Sequence, residues 1–311
     1  MTAQDPINHH YLPVFYQQEW STAGRVVRYY RPHDVVVASP TGVKYTGCEE
    51  YLYSMRDLPS GTSHALETEF FSPIDSMAAT SLQKMLAGGL NQMTNGDRVN
   101  WARFMLSTQL RNPHGLDELK LAVDTIVRQN TDKKDDPEYE KVRGADDAAT
   151  VYAWTMKHQP HVIENAYKDM LPRLIDHEGV GEYIINMHWA TIDLSKASHS
   201  LLTGDRPFIT THGIKDPRSV LMFPLGPTLL FTATNGPAQT AQVIAHKPSY
   251  LTHHMNENIV GRAVNMVIGK DRSHLEFVER RLRHPHQAPS PGPVGKGMPG
   301  VPLSSPLAKA N

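Results

Sequence analysis

The hydrophobic pattern of this chain changes period along its length, from short alternating runs to helical spacing and back. Near the start, Val14, Phe15 and Trp20 follow Pro13, which predicts a short helix with proline in its first turn. Arg25 to Tyr30 and Val35 to Val37 are β-branched and aromatic runs separated by Arg31-Pro32. They predict an early antiparallel pair, with a further strand at Tyr51-Leu52-Tyr53. The period then turns helical. Ser72-Pro73-Ile74-Asp75 predicts a helix start, with Ser at the N-cap, Pro at N1 and an acid at N3, and Gly88-Gly89 predicts its end. Trp101, Phe104, Met105 and Leu110 mark a second helix, stopped by Asn112-Pro113. Leu116, Leu119, Val123, Ile126 and Val127 mark a third. Residues 128–147 carry charges of both signs and read as a solvated loop or exposed helix end. Residues 148–174 predict one helix broken at Pro160, or two.

Alternation returns at Tyr183. The run to Ile192 is apolar on both faces and predicts an internal strand. Residues 201–211 place a polar corner, Gly204-Asp205-Arg206-Pro207, between apolar flanks, and it reads as a tight turn joining two strands. Val220 to Phe223 and Thr228 to Thr232 predict neighbours in the same sheet, and Pro248 to Ile268 a last helix. Residues 284–311 hold seven prolines and predict a disordered tail. The expected fold is α+β: one globular domain over residues 1–283, with a central helical region packed on a mixed or antiparallel sheet built mainly from residues 181–232.

Composition narrows the partners. Lys and Arg number 31 against 32 Asp and Glu, so the formal net charge is -1. No global field favours nucleic acid or a membrane surface, although a local basic groove stays compatible with the numbers. No apolar run is long enough to span a bilayer, so no membrane partner is expected. Cys48 is the single cysteine, and the polar residues 1–10 lack a signal-peptide core; both suit a cytoplasmic protein.

Candidate chemistry is scattered. His10, with Tyr11 beside it, could supply a base or a ligand. Asp75 and Glu69 offer carboxylates, although Asp75 at N3 already has a capping role open to it. Arg111 ends a helix, where a cation is favourable in any case. His188 and Asn186 share one face of the expected strand. Asp205 and Arg206 place opposite charges on the corner, and Asn256 lies one turn from His253. The chain has no His-Glu-x-x-His, no Gly-x-Ser-x-Gly and no Gly-x-Gly-x-x-Gly. Gly292 to Gly297 lacks the Ser or Thr and the preceding strand of a phosphate loop.

In order, these pieces resemble a mostly bacterial family, domain of unknown function 4238. Its His-Tyr-Val-Pro signature matches His10-Tyr11-Leu12-Pro13, followed by Phe15 and Trp20. Glu69 and Ile74-Asp75 resemble its acidic positions, and Gln109 to Pro113 its Arg-bearing helix end. Trp189 and then Leu202 to Pro207 resemble its Phe-Ile-Thr-Ser-Asp-x-Pro turn, with Gly204 where Ser is usual. Phe223 to Pro227 and Asn256 complete the series, over roughly residues 8–270. The resemblance implies no activity.

Two expectations follow. The first is a hydrolase of the nuclease or phosphodiesterase kind. His10, Glu69, Asp75 and Asp205 would act in catalysis, perhaps through a divalent metal on the carboxylates, and Tyr11, Arg111, Arg206, His188 and Asn256 would bind substrate. The alternative is a non-catalytic binding or sensor module, for example in defence against phage. A third reading makes the same residues caps, turns and strand-end pairs.

Overall fold

A computed structural model describes residues 7–57 and 62–283; the expected tail at 284–311 lies outside them. The architecture is α+β. In chain order, strand β1 (Asn8–His10) leads into α1 (Val14–Gln17), then β2 (Arg25–Tyr30), β3 (Val37–Gly42) and β4 (Cys48–Glu50). A π-helical segment, Leu66–Phe71, runs directly into α2 (Ser72–Gly88). Next come α3 (Asn95–Leu110), α4 (Pro113–Thr131), α5 (Pro137–Glu140), α6 (Val151–His158), α7 (Val162–Ile175) and α8 (Glu178–Asn186). The strands β5 (His188–Asp193), β6 (Thr203–Gly204), β7 (Ile209–Thr210), β8 (Val220–Gly226) and β9 (Leu229–Thr234) follow, then α9 (Pro237–Ile244), α10 (Pro248–Arg262), β10 (Val267–Gly269) and α11 (Leu275–Glu279).

The strands form three antiparallel sheets: β1-β4, β3-β2-β10-β6 and β5-β9-β8-β7. The larger core lies between the helices and the last of these sheets. There Trp101 and Phe104 of α3 meet Phe223 and Tyr16 at ring distances of 5.1 to 5.9 Å. Such aromatic contacts dominate core energetics because each ring removes a large apolar area from water. A second core packs Leu251, Met255 and Ile259 of α10 against Leu201, Leu202 and Val267.

Four expectations change. First, Ser72 is not a cap, because the chain enters α2 already wound. Pro73 removes a helical N–H and crowds the preceding turn, and the wider π spacing just before it relieves both. Second, Tyr51-Leu52-Tyr53 is a turn, and the strand lies just before it in β4. Third, residues 178–186 are helical, not the start of a strand. Val180, Tyr183, Ile184 and Met187 also satisfy helical spacing, and an apolar run cannot choose between the two periods. The helix end is secured from outside: Arg98 donates to the carbonyls of Ile185 (2.6 Å) and Met187 (2.9 Å), Trp189 Nε1 donates to that of Ile184 (2.8 Å), and the Arg98 guanidinium lies 3.9 Å from the Trp189 ring. Fourth, the last helix stops at Arg262 and the chain becomes strand β10.

The corner at 204–207 is not a hairpin. β6 pairs with β10 in one sheet, whereas β7 pairs with β8 in another. Residues 205–208 therefore cross between sheets. Gly204 permits the crossing, because a Cβ there would lie 2.7 Å from the Met266 carbonyl oxygen. The N-terminal aromatic segment fixes the approach: Tyr16 OH lies 2.8 Å from Thr203 Oγ1 and donates to Pro224 O (2.9 Å), and Trp20 Nε1 donates to Leu201 O (2.8 Å). Asn256 holds the same strand, accepting from Leu202 N (2.8 Å) and donating to Ser200 O (2.9 Å).

Candidate functional site

Arg111 ends α3 and is fully buried. Its Nη1 donates to Asp75 Oδ1 at 2.8 Å. Phe71 and Phe104 flank the guanidinium, with ring centroids 5.5 and 5.4 Å away. Nε and Nη2, the other edge of the fork, are enclosed and have no partner. Elsewhere in this molecule the same edge grips carboxylates: Arg103 holds Asp176 at 2.6 and 2.8 Å, and Arg218 holds Asp216 at 3.0 and 2.8 Å. A buried guanidinium with two unmet donors is costly, and a planar oxyanion would satisfy both at once.

Two titratable groups feel the charge of Arg111. Glu67, in the π-helical segment, has its Oε2 enclosed without a partner. Burial, helped by the charge of Asp75 and opposed by that of Arg111, pushes its carboxyl up to about 7. His10 closes β1, and its Nε2 is likewise enclosed and unpartnered. Burial lowers its pKa; the Lys44 carbonyl, hydrogen-bonded to the ring, opposes this, and the Arg111 charge adds to it. With Nδ1 donating to that carbonyl, Nε2 would be the lone-pair nitrogen. Asp75 is also pushed up by burial, with Arg111 opposing.

Hydrogen bonds tie the neighbouring segments together. Beyond Arg111, Glu118 of α4 lies 2.7 Å from His114 Nε2 and accepts from Arg206 (2.9 Å). The neighbouring Asp205 is buried and accepts from the backbone nitrogens of Val264 (3.1 Å), Asn265 (2.5 Å) and Met266 (3.4 Å). This turns the chain out of α10 and into β10. Thr46 Oγ1 reaches Met266 Sδ at 3.2 Å. Gln17 Nε2 donates to both Thr46 O (2.9 Å) and Leu12 O (2.5 Å). Leu12 follows His10-Tyr11, and His9 Nδ1 accepts from Tyr53 N (2.9 Å) while Tyr53 OH donates to Arg111 O (2.8 Å). The Tyr11 hydroxyl is pushed far up by burial first and the Asp205 charge second.

Asp75 is thus joined to Arg111, and Arg206 to Glu118, while Asp205 holds the 264–266 backbone. The Asp205 carboxyl is pushed up by burial against those three donors. Glu69 is exposed, whereas Glu67 is half-buried with its Oε2 enclosed. His188 and Asn186 are both exposed and do not share a strand face; His188 Nδ1 contacts Thr240 Oγ1 at 2.7 Å, beside α9. Asn256 lines a different cleft of about 640 Å³, with His199, His253, His274 and Phe277. Another, of about 660 Å³, lies beside α7 at Met55, His161 and Asn165 and contains none of the expected site residues. Sequence reasoning missed Glu67, Tyr53 and Gln17. A signal for Glu67 existed: Leu66, Phe70, Ile74 and Ala78 repeat every fourth residue, which carries the helix upstream of Ser72. Among the described residues no three His, Cys, Asp or Glu side chains are grouped so as to hold a metal ion, and no helix is long and apolar enough to cross a membrane.

A family model described as "Protein of unknown function (DUF4238)" matches residues 8–273. No curated protein and no solved structure matches the chain.

Proposed function

From the premise that the chain belongs to the DUF4238 family, we propose that it is a hydrolase of phosphate esters, working through general acid and base groups around Arg111. The observation that carries this reading is the buried, unpartnered Nε and Nη2 edge of Arg111. In this scheme Arg111 binds the phosphoryl oxygens and neutralises charge as it develops. Water attacks phosphorus, and its proton passes to His10 Nε2. The bond from phosphorus to the ester oxygen breaks, and that oxygen takes the proton of Glu67. An alcohol and phosphate leave, and solvent exchange resets both side chains. Asp75 positions Arg111. No step of this scheme uses a metal.

The two titrations define the test. Glu67 must be protonated, which holds below about 7, and His10 must be neutral, which holds above a value lowered from 6.5. Turnover of a panel of nitrophenyl phosphate monoesters and diesters should therefore peak between these limits, at mildly acidic to neutral pH. Glu67→Gln should remove the alkaline fall together with about 10²-fold or more of the rate. Saturable binding of the esters with no turnover at any pH would replace this reading with the binding-module alternative.

A further inference from the structure

The cleft of about 640 Å³ that Asn256 borders has no part in the scheme above. Small-molecule sites usually enclose roughly 300–1,000 Å³, so its size suits one. Three segments wall it: the loop after β5, the first half of α10, and α11 with its flanking residues. Rings follow one another along the wall. His253 meets Phe277 at a centroid distance of 5.6 Å, Phe277 meets His274 at 6.3 Å, and His274 meets His199 at 5.7 Å. Phe277 is half-buried, so core packing does not use all of its surface.

Charge around the cleft is unequal. Glu257 holds Arg281 at 3.1 Å and lies 3.3 Å from His253 Nε2, and the Arg281 guanidinium sits 4.1 Å from the Phe277 ring centroid. Arg280 is exposed and pairs with Glu276. Two carboxylates therefore face two guanidiniums and three imidazoles. Ser198, Ser249 and Ser273 add hydroxyls to the same wall. Thr252, only 1% exposed, also borders it, and its Oγ1 has no partner. A helical threonine can return its hydroxyl to the carbonyl one turn back; this one does not, and packing alone gives no reason for the omission. Asn256, by contrast, spends its amide on Leu202 N and Ser200 O and is structural.

We infer that this cleft is a second ligand site and that it takes a nucleoside monophosphate. The ring-lined wall receives the flat base, the serine hydroxyls meet the ribose, and Arg280 with the imidazoles meets the phosphate. The inference is independent of the Arg111 reading.

The test is photolabelling of the full chain with 8-azidoadenosine 5′-monophosphate, with the modified residues mapped by mass spectrometry. Label is expected on Tyr250, His253 or Phe277. AMP should protect these positions at about tenfold lower concentration than adenosine or orthophosphate, since each of those makes only part of the contacts. Arg280→Gln, at an exposed position that leaves the fold intact, should raise the AMP concentration needed about fivefold and leave that of adenosine unchanged. Phe277→Leu should weaken protection by AMP and adenosine alike. Arg111→Lys should leave labelling of the cleft as it is, so failure of the hydrolase reading and failure of this site are separate results. Label that never falls on the cleft, or that disappears with Arg111→Lys, would overturn the site. Protection by adenosine or orthophosphate equal to that by AMP would overturn the nucleotide assignment.

Discussion

Glu67 carries the account at the scale of one side chain. Its carboxyl is pushed up from 4.5 to about 7, so the fold prefers the neutral form. The stability contributed is complete below 4.5 and is lost as pH rises through about 7. At pH about 8 the loss is at most about 3 kcal/mol, from roughly 1.4 kcal/mol per pH unit. Glu67→Gln fixes the neutral form. It should raise the denaturation midpoint at alkaline pH and leave it unchanged at pH about 4. Equal midpoints at alkaline pH would mean that this carboxyl ionises freely in the fold. Asp97 has the opposite sign. Lys84 and the Thr94 cap lower it from 3.8 to about 2, so its contribution is present above 3.8 and fades as pH falls toward 2. Asp97→Ala should cost about 1 kcal/mol at neutral pH, measured by urea unfolding.

At the scale of elements, the crossing from β6 to β7 sets the places of Asp205 and Arg206. It depends on Gly204, whose absent Cβ leaves room for the Met266 carbonyl. Gly204→Ala should lower stability by about 1–3 kcal/mol in urea unfolding, because backbone must move. An unchanged midpoint would show that β6 and β10 can separate without cost. Elements with strong local punctuation were legible in the chain. β2, the stops of α2 and α3, and the β8-β9 neighbours follow from β-branched runs, Gly88-Gly89 and Asn112-Pro113, whereas β3 begins at Val37, the last residue of the run expected to form it. Elements decided by tertiary contact were not. Residues 180–187 fit two periods, and a half-buried arginine and a buried tryptophan secure the helical choice. The end of α10 is set by Asp205, roughly sixty residues away in sequence. The same limit applies to the site. His10, Asp75 and Arg111 stood out as residue types at sharp local features, whereas Glu67 was hidden by a helix start placed too late.

At the scale of the molecule, long-range pairs tie the first strand, the ends of α3 and α10 and the crossing between sheets to distant parts of the chain. The proposed site draws on several of these segments and on no single local one. The fold also leaves enclosed donors on Arg28, Arg111 and Arg262 that no protein group satisfies. The central claim is that those of Arg111 await an oxyanion. The most direct measurement is an anomalous difference map from crystals soaked in tungstate. A tungsten peak is predicted with its oxygens in hydrogen-bond range of both Nε and Nη2 of Arg111. Tungstate ordered only elsewhere, with water in that fork, would contradict the account.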